Sequence, residues 1–397
     1  MRIQNLTAYL VRIPLKKEIR HASYARRYND TVLIRCELED GTVGWGEGLP
    51  RHYVTGETIE TTWEQWQVSS LKDQLSIDWS DWSELFDLLK KFELTRPVTI
   101  EPPATSDRDC FGNSLRCAIE IAILDAATRY WNVPLSEVTA KFEPASSIHE
   151  NRKEIRYGVA ITSMSRRKQV LNSILYRLFG FQHVKVKVGA KGINDVELLS
   201  RVRRWMGQGV DLRIDANEAW NRDQLLHKAQ ELAPFQISSI EQPLPHTEID
   251  QLAGLNRDCQ LPIMLDESLC SPSDARRAAD EQFCQLFNIR LSKGGGFLNC
   301  LEIAAIAHEA GIGYQLGCMV GETGILSAAG RHFACSVAGI KHLEGSYDRF
   351  LVRENLIKRD ITFGWGGKAP ELTGPGLGVE IDTDAINRLK LQEQNWT

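Results

Sequence analysis

The chain has 397 residues, of which 52 are acidic and 47 basic, giving a formal net charge of −5. That length holds one large barrel plus a smaller domain with an ample core. Because the charges mix without long runs of one sign, a nucleic-acid or membrane-surface protein is excluded and small-molecule chemistry is expected. Nine cysteines, an odd number with no C-x-x-C pair, suit reduced thiols. The opening MRIQNLTAYLVRIPLKKEIR lacks a signal-peptide core, and no run of about 18 apolar residues could span a membrane, so a soluble cytoplasmic protein is expected.

In chain order, IQNLTAYLVRIPL and TVLIRCELEDGTVGWGEG read as strands, with Asp40-Gly41 as a hairpin turn. Residues 57–92 carry apolar side chains at roughly helical spacing, and LRCAIEIAILDAATRYW, 115–131, reads as a buried helix. GWGEGLP does not complete G-x-G-x-x-G and precedes no clear helix, so it reads as a turn. From about residue 155 short apolar segments alternate with helical ones. The strands are RYGVAI, HVKVKV, DLRIDA, ISSIEQ, PIMLDE, LFNIRL, GYQLGC and KHLEGS. Segments such as SRRKQVLNSILYRLFG and DVELLSRVRRWMG have the length of crossover helices. Repeated βα units of this kind predict a parallel, closed (β/α) barrel, with an open doubly wound sheet as the second choice. KGGGFLN reads as a barrel loop, or alternatively as a backbone nest for an anion.

Functional groups of a barrel sit at the C-terminal ends of its strands. Asp215, Glu241, Asp266 and Lys293 end successive strands at intervals of 26, 25 and 27 residues, so they are expected to converge at one mouth. Three gathered carboxylates repel one another unless a cation neutralises them, and hard oxygen donors favour Mg²⁺ or Mn²⁺ over zinc. In HVKVKVG, Lys185 and Lys187 share one face of a strand and Val184, Val186 and Val188 the other. The two lysines would flank the metal on one side and Lys293 on the other, an arrangement suited to proton transfer. A lone V-K-V-K-V would be a half-exposed strand, and any one of the acids a helix cap. It is their succession that argues for a site.

The ordered set VKVKVG, DANEAW, IEQPL, LDES and LSKGG resembles the enolase superfamily, in its muconate lactonizing enzyme-like (mandelate racemase/muconate lactonizing enzyme) subgroup, over nearly the whole chain. The resemblance implies a (β/α)7β TIM-like barrel with an α+β capping domain formed by the N-terminal part and the C-terminal tail. The expected division is 1–150 for the cap, 151–360 for the barrel, and 361–397, including PGLGVEID, for a tail returning to the cap. It implies Asp215, Glu241 and Asp266 as Mg²⁺ ligands, choosing Asp266 over Glu267. Lys187 and Lys293 then resemble the acid/base pair, with Lys185 tuning Lys187 and contacting the substrate carboxylate. Asn217 resembles a support of the metal site, and Glu322 a residue bordering the active site.

The activity so implied is that of a Mg-dependent isomerase, which abstracts the proton alpha to a carboxylate through a metal-stabilised enediolate. A cycloisomerase (muconate-like) or a racemase/epimerase comes first. A dehydrating lyase of the o-succinylbenzoate synthase type is the alternative, and a non-catalytic binding protein of this fold comes last. GYQLGCMVGETG has no histidine, which separates the chain from the mandelate racemase pattern. Specificity in the family comes largely from capping loops, which points to Arg20, His21, Arg26 and Arg27 as contacts for a second anionic group. Dipeptide epimerases often carry Asp-x-Asp after the eighth strand, where this chain has Glu344 and Ser346. The expected partners are a small-molecule carboxylate and further copies of the chain, with no nucleic acid and no membrane. Trp63, Trp66, Trp79 and Trp82 would cover an interface or fill the cap's core.

Overall fold

Alternating apolar and polar residues at the start of the chain form β1 (Ile3–Arg20), β2 (Ala25–Leu38) and β3 (Val43–Gly48), paired antiparallel. The computed structural model describes residues 1–20, 25–101, 110–162 and 165–396. Gly41 takes a φ of 87° in the turn between β2 and β3, a left-handed conformation that glycine adopts without strain. Helices Ile59–Val68, Leu71–Leu75 and Trp82–Lys91 follow, then the long helix Asn113–Tyr130.

GWGEG is therefore a strand, β3, rather than the turn expected from its glycines. The reason is close approach, because Asn113–Tyr130 lies directly on this strand. A Cβ at Gly44 would sit 2.2 Å from Ala126 N, one at Gly46 2.0 Å from Ala118 O, and one at Gly48 1.9 Å from Ser114 O. All three neighbours are backbone atoms that cannot step aside. Gly46→Ala is thus expected to destabilise the protein by roughly 3 kcal/mol or more, at the upper end of overpacking effects, as read from chemical denaturation. An unchanged midpoint would mean that the helix can lift off β3. Trp63, Trp66 and Trp79 are buried in this part of the molecule, and the Trp82 ring packs 4.2 Å from that of Trp131. Trp63, Trp66 and Trp79 belong to the core, and Trp82 packs against it half-buried.

The barrel strands follow. β4 (Glu154–Arg156) stands outside the barrel. The eight that build it are β5 (Val159–Ile161), β6 (His183–Lys187), β7 (Asp211–Asp215), β8 (Ile237–Glu241), β9 (Ile263–Leu265), β10 (Leu286–Ile289), β11 (Gly313–Leu316) and β12 (Ile340–Leu343). They pair in parallel in sequence order. Helices such as Arg166–Leu178, Asp195–Met206 and Gly324–Ser336 cross between them. Gly158 N donates to Leu343 O at 2.8 Å, joining the start of β5 to the end of β12 and closing the ring. The fold is a (β/α) barrel with a capping sheet, as expected. Beyond it, β13 (Lys368–Pro370) pairs with β4, and β14 (Lys390–Asn395) adds to the free edge of β1. PGLGVEID also returns to the cap, where Leu377 N donates to Asp125 Oδ1 at 2.7 Å.

Two buried carboxylates fasten the cap to the barrel. Glu47 of β3 accepts from Thr323 N and Oγ1 and from Leu326 N at the start of Gly324–Ser336. Glu120 of the long helix accepts from Leu298 N at the start of helix Phe297–Glu309. An acid at a helix N-terminus satisfies orphan N–H groups and meets the positive end of the dipole. Gly296, with φ 129°, leaves room for this carboxylate, since a Cβ there would lie 2.4 Å from Glu120 Oε1. The anion cradled by KGGGFLN is thus the protein's own Glu120. Among the described residues no helix is long and apolar enough to cross a membrane.

Candidate active site

A strand of a parallel barrel is covered on both faces, by helices outside and by other strands' side chains inside. In β6 the valines Val184 and Val186 face the helices, fully buried, and the lysines face inward. Register places Lys185 beside Arg213 and Lys187 beside Asp215, and then Asp215 beside Glu241. Asp266 follows β9 directly. The strand ends thus bring Lys187, Asp215, Glu241 and Asp266 to one mouth. Left-handed backbone at Asn217 (φ 42°), Gln242 (φ 37°) and Ser346 (φ 55°) marks the sharp turns where the chain leaves β7, β8 and β12.

Lys185 is 5% exposed and sits amid the acids, with Nζ 3.1 Å from Glu241 Oε1, 3.0 Å from Glu344 Oε2 and 3.4 Å from Asp215 Oδ2. Burial alone would lower its pKa, but Glu241, Glu344 and Asp215 outweigh that and hold it raised. Lys185 is therefore a fixed cation here. Arg213, also buried, donates to Glu344 Oε1 at 2.8 Å and to Gln315. Burial works against the Glu344 charge, yet Lys185 and Arg213 hold its carboxyl well below the usual range. Glu344 is thereby committed to a buried network.

Lys187 behaves differently. Its Nζ donates to Asn217 Oδ1 at 2.7 Å, and the side chain lines a cavity of about 260 Å³ at the mouth. Asn217 N donates to Asp215 Oδ1 at 3.0 Å, so Asn217 connects the lysine to the carboxylate cluster. Lys293 does not line this cavity, but it reaches the carboxylate cluster through Asp266. β10 ends at Ile289, and the chain turns into a single helical turn, Leu291–Gly294, which breaks the alternation. Lys293, 1% exposed, spends its ammonium on Asp266 Oδ1 (2.9 Å), Asp266 O (2.5 Å) and Asn288 O (2.9 Å). The cation that lines the cavity from this strand is Arg290, bonded to Asp266 Oδ2 and 3.5 Å from Glu241 Oε1. Sequence reasoning missed Arg290. Its signal was the period of two, with Asn288 and Arg290 both facing inward.

The acids crowd one another. Burial lifts Glu241 to about 7 against the pull of Lys185, and burial, followed by the charge of Asp266, lifts Glu267 to about 8. Burial opposes the charge on Asp266, but Arg290 and Lys293 hold its pKa lowered. Glu322 lines the same cavity and is pushed up to about 8, chiefly by burial, while accepting from Met319 N at 2.6 Å. Tyr53 and Val54 of the cap line the cavity together with Tyr176, Tyr347 and Leu351.

Arg26 and Arg27 do not line it. Arg26 donates to Val320 O and to Asn29 Oδ1 (3.2 Å), fastening the loop after β11. Arg27 is largely exposed, with Nε 3.7 Å from Glu18. His21 lies outside the described residues. Ser346, in the position the sequence comparison raised, is buried against Arg331.

Three comparisons bear on this geometry. The chain is similar to the N-succinyl-L-Arg/Lys racemase of Bacillus cereus, at 26% identity over 394 residues and 98% of both chains. The crystal structure of that protein matches with a TM-score of 0.84, at 24% identity and over all of both chains. A hydrophobic dipeptide epimerase of Enterococcus faecalis is 28% identical over 389 residues, 98% of this chain and 97% of its own. The Cytophaga hutchinsonii dipeptide epimerase, solved with Mg and the dipeptide D-Ala-L-Val, matches at a TM-score of 0.84 and 23% identity over all of both chains. The model of the enolase C-terminal domain-like family matches residues 171–385. Spanning more than half of the chain and every barrel strand from β6 to β12, that match makes this protein a member of the enolase superfamily.

Proposed function

We propose that this protein is a metal-dependent isomerase that removes and returns the proton alpha to the carboxylate of a small substrate, as a racemase or epimerase or as a cycloisomerase. The observation that carries this reading is Lys187, an amine facing the cavity at the mouth next to Asp215 while the neighbouring Lys185 is held charged by three acids.

The acids fit a divalent cation. Asp215, Glu241 and Asp266 are buried all-oxygen donors, and burial raises the pKa of Glu241 and of the adjacent Glu267. Glu267 Oε2 is buried without a hydrogen-bond partner among the described residues. Oxygen donors suit Mg²⁺, with Mn²⁺ as a substitute, and the Cytophaga relative was solved with Mg. When bound, such an ion supplies fixed charge that lowers the cost of an enediolate. Lys187 Nζ takes the alpha proton and holds it, with Asn217 fixing its direction. Lys185, kept in place by Glu344 and through it by Arg213, supplies permanent charge for the substrate carboxylate. The wall of Tyr53, Tyr176 and Tyr347 keeps bulk water from the carbanion.

Arg290 favours a second reading. Its guanidinium is always charged and serves as a fixed cation, not as a proton donor in turnover. A reaction needing one base on one face, cycloisomerisation or dehydration by a lyase, is then met by Lys187 alone. The test is proton exchange in D₂O, followed by NMR, on a panel of N-acylamino acids, dipeptides and cyclic unsaturated acids. Exchange is expected with Mg²⁺ and should vanish after chelation. Inversion accompanying exchange identifies a racemase or epimerase, whereas exchange with retention identifies one-base chemistry. Exchange that persists after elemental analysis shows no metal would remove the mechanism.

A further inference from the structure

The same strands that carry the active site begin, at the opposite end of the barrel, with a second group of metal-ligating side chains. His183 opens β6 and Asp211 opens β7, paired in register, each four residues before Lys187 and Asp215. At about 3.3 Å per residue this is roughly 13 Å from the mouth. His342 of β12 joins them. Its Nε2 lies 2.7 Å from Asp211 Oδ2, and His183 Nδ1 lies 3.6 Å from that same oxygen. One ligand atom from each of the three falls within 4.8 Å of the others.

We propose that His183, Asp211 and His342 form a separate metal site at the barrel floor, for one zinc-class divalent ion. The proposal does not depend on the reading of the mouth. Two imidazoles and one carboxylate are the donor set of a borderline ion, in contrast to the all-oxygen mouth. With metal–ligand bonds of about 2.0 Å, tetrahedral ligand atoms stand about 3.3 Å apart. The His183–Asp211 separation is already close to this, the His342–Asp211 one is about half an ångström short, and the two imidazole nitrogens lie within 4.8 Å of each other.

Among the described residues, three buried atoms of the group have no hydrogen-bond partner, namely His183 Nδ1, Asp211 Oδ1 and His342 Nδ1. Buried polar atoms are normally paired. His183 Nδ1 and Asp211 Oδ1 are therefore available as ligands. The protonation states suit a metal too. Burial lowers the pKa of His342, which favours the neutral imidazole a metal needs, while the neighbouring imidazoles outweigh burial and hold that of Asp211 lowered. The His342 side chain is 6% exposed, but His183 and Asp211 are 26% and 32% exposed, which gives an ion an entrance and leaves water for the remaining position. The charge of Arg213, two residues on, is taken up by Glu344 and Gln315.

The place explains what such an ion would do. Gly158 N to Leu343 O is the backbone bond that closes the ring, outside the regular ladders. An ion tying β12 to β6 and β7 spans that seam, so it acts as a structural clip.

The experiment uses the full-length protein stripped with chelator and dialysed against ZnCl₂ in an excess of MgCl₂, which occupies the mouth. One zinc per chain is expected by elemental analysis, with a raised melting temperature. His183→Gln and His342→Gln, checked for folding by circular dichroism, should each weaken zinc binding at least tenfold, and Glu241→Gln at the mouth should not. X-ray absorption on the zinc-loaded protein should show two imidazole ligands, a readout that holds even if a variant fails to fold. No retained zinc, zinc binding as tight as the wild type's in both histidine variants, or a thiolate coordination shell from the cysteines would each overturn the site and leave a metal-free His–Asp–His clasp.

Discussion

Replacing Lys187 by alanine is expected to lower kcat for the exchange reaction about 10³-fold, within the range for loss of a positioned acid/base, while moving the melting temperature little. The asymmetry follows from its surroundings. Its hydrogen bond is to Asn217, and it faces a cavity rather than packed core. Lys293→Ala should behave in the opposite way. With three acceptors on its buried ammonium it holds Asp266 and the turn after β10, so its removal costs stability first. Exchange rates in D₂O together with thermal melts separate the two. Equal losses of activity at equal stability would return Lys293 to the role of a proton-transfer residue.

Glu241→Gln should abolish detectable turnover and also destabilise the metal-free protein by about 3–5 kcal/mol, the usual cost of breaking a buried charge pair. Both carboxylate oxygens meet donors: Lys185 at 3.1 and 3.2 Å, and Asn288 Nδ2 at 2.9 Å from Oε1. An amide would turn its NH₂ against one of them. The measurement is the melting temperature with and without Mg²⁺. The wild type should be raised by the ion through simple linkage, and the variant should lose that response. A magnesium shift of unchanged size would take Glu241 out of the ligand set.

The eight barrel strands were legible because each is a short apolar run bounded by helical segments, and their matched spacing brought Asp215, Glu241 and Asp266 to one mouth before any coordinates were needed. Lys293 lies deeper than the strand pattern implies, because the period of two applies only while the chain stays extended and ceases at Ile289, yet its ammonium still meets Asp266. Nothing local in LSKGG announces that turn, whereas Arg290, one residue past the strand, still obeys the alternation. GWGEG failed for a different reason. A glycine stripe has the composition of a turn, and what makes it a strand is a helix that begins some 65 residues later and comes within contact of its backbone. The same holds for KGGGFLN, whose anion is supplied by Glu120, 178 residues before Leu298. Arg26 and Arg27 carried the right charge for an anionic substrate, but their direction depends on how the cap seats on the loop after β11, which no local pattern records.

The seam between cap and barrel has a consequence for how the chain is made. Glu47 is synthesised early, yet its partners Thr323 and Leu326 lie 276 and 279 residues further along, and β1 waits for β14, with Thr7 and Asn395 separated by 388. On a ribosome the first sheet therefore emerges with one edge open and buried acids unmatched until almost the whole barrel has followed. Contacts at such separation form slowly and leave partly built chains prone to pairing with one another. The nascent N-terminal segment is thus the part of this protein that stands in greatest need of a chaperone, and synthesis stalled before residue 390 should yield aggregates and not a folded cap.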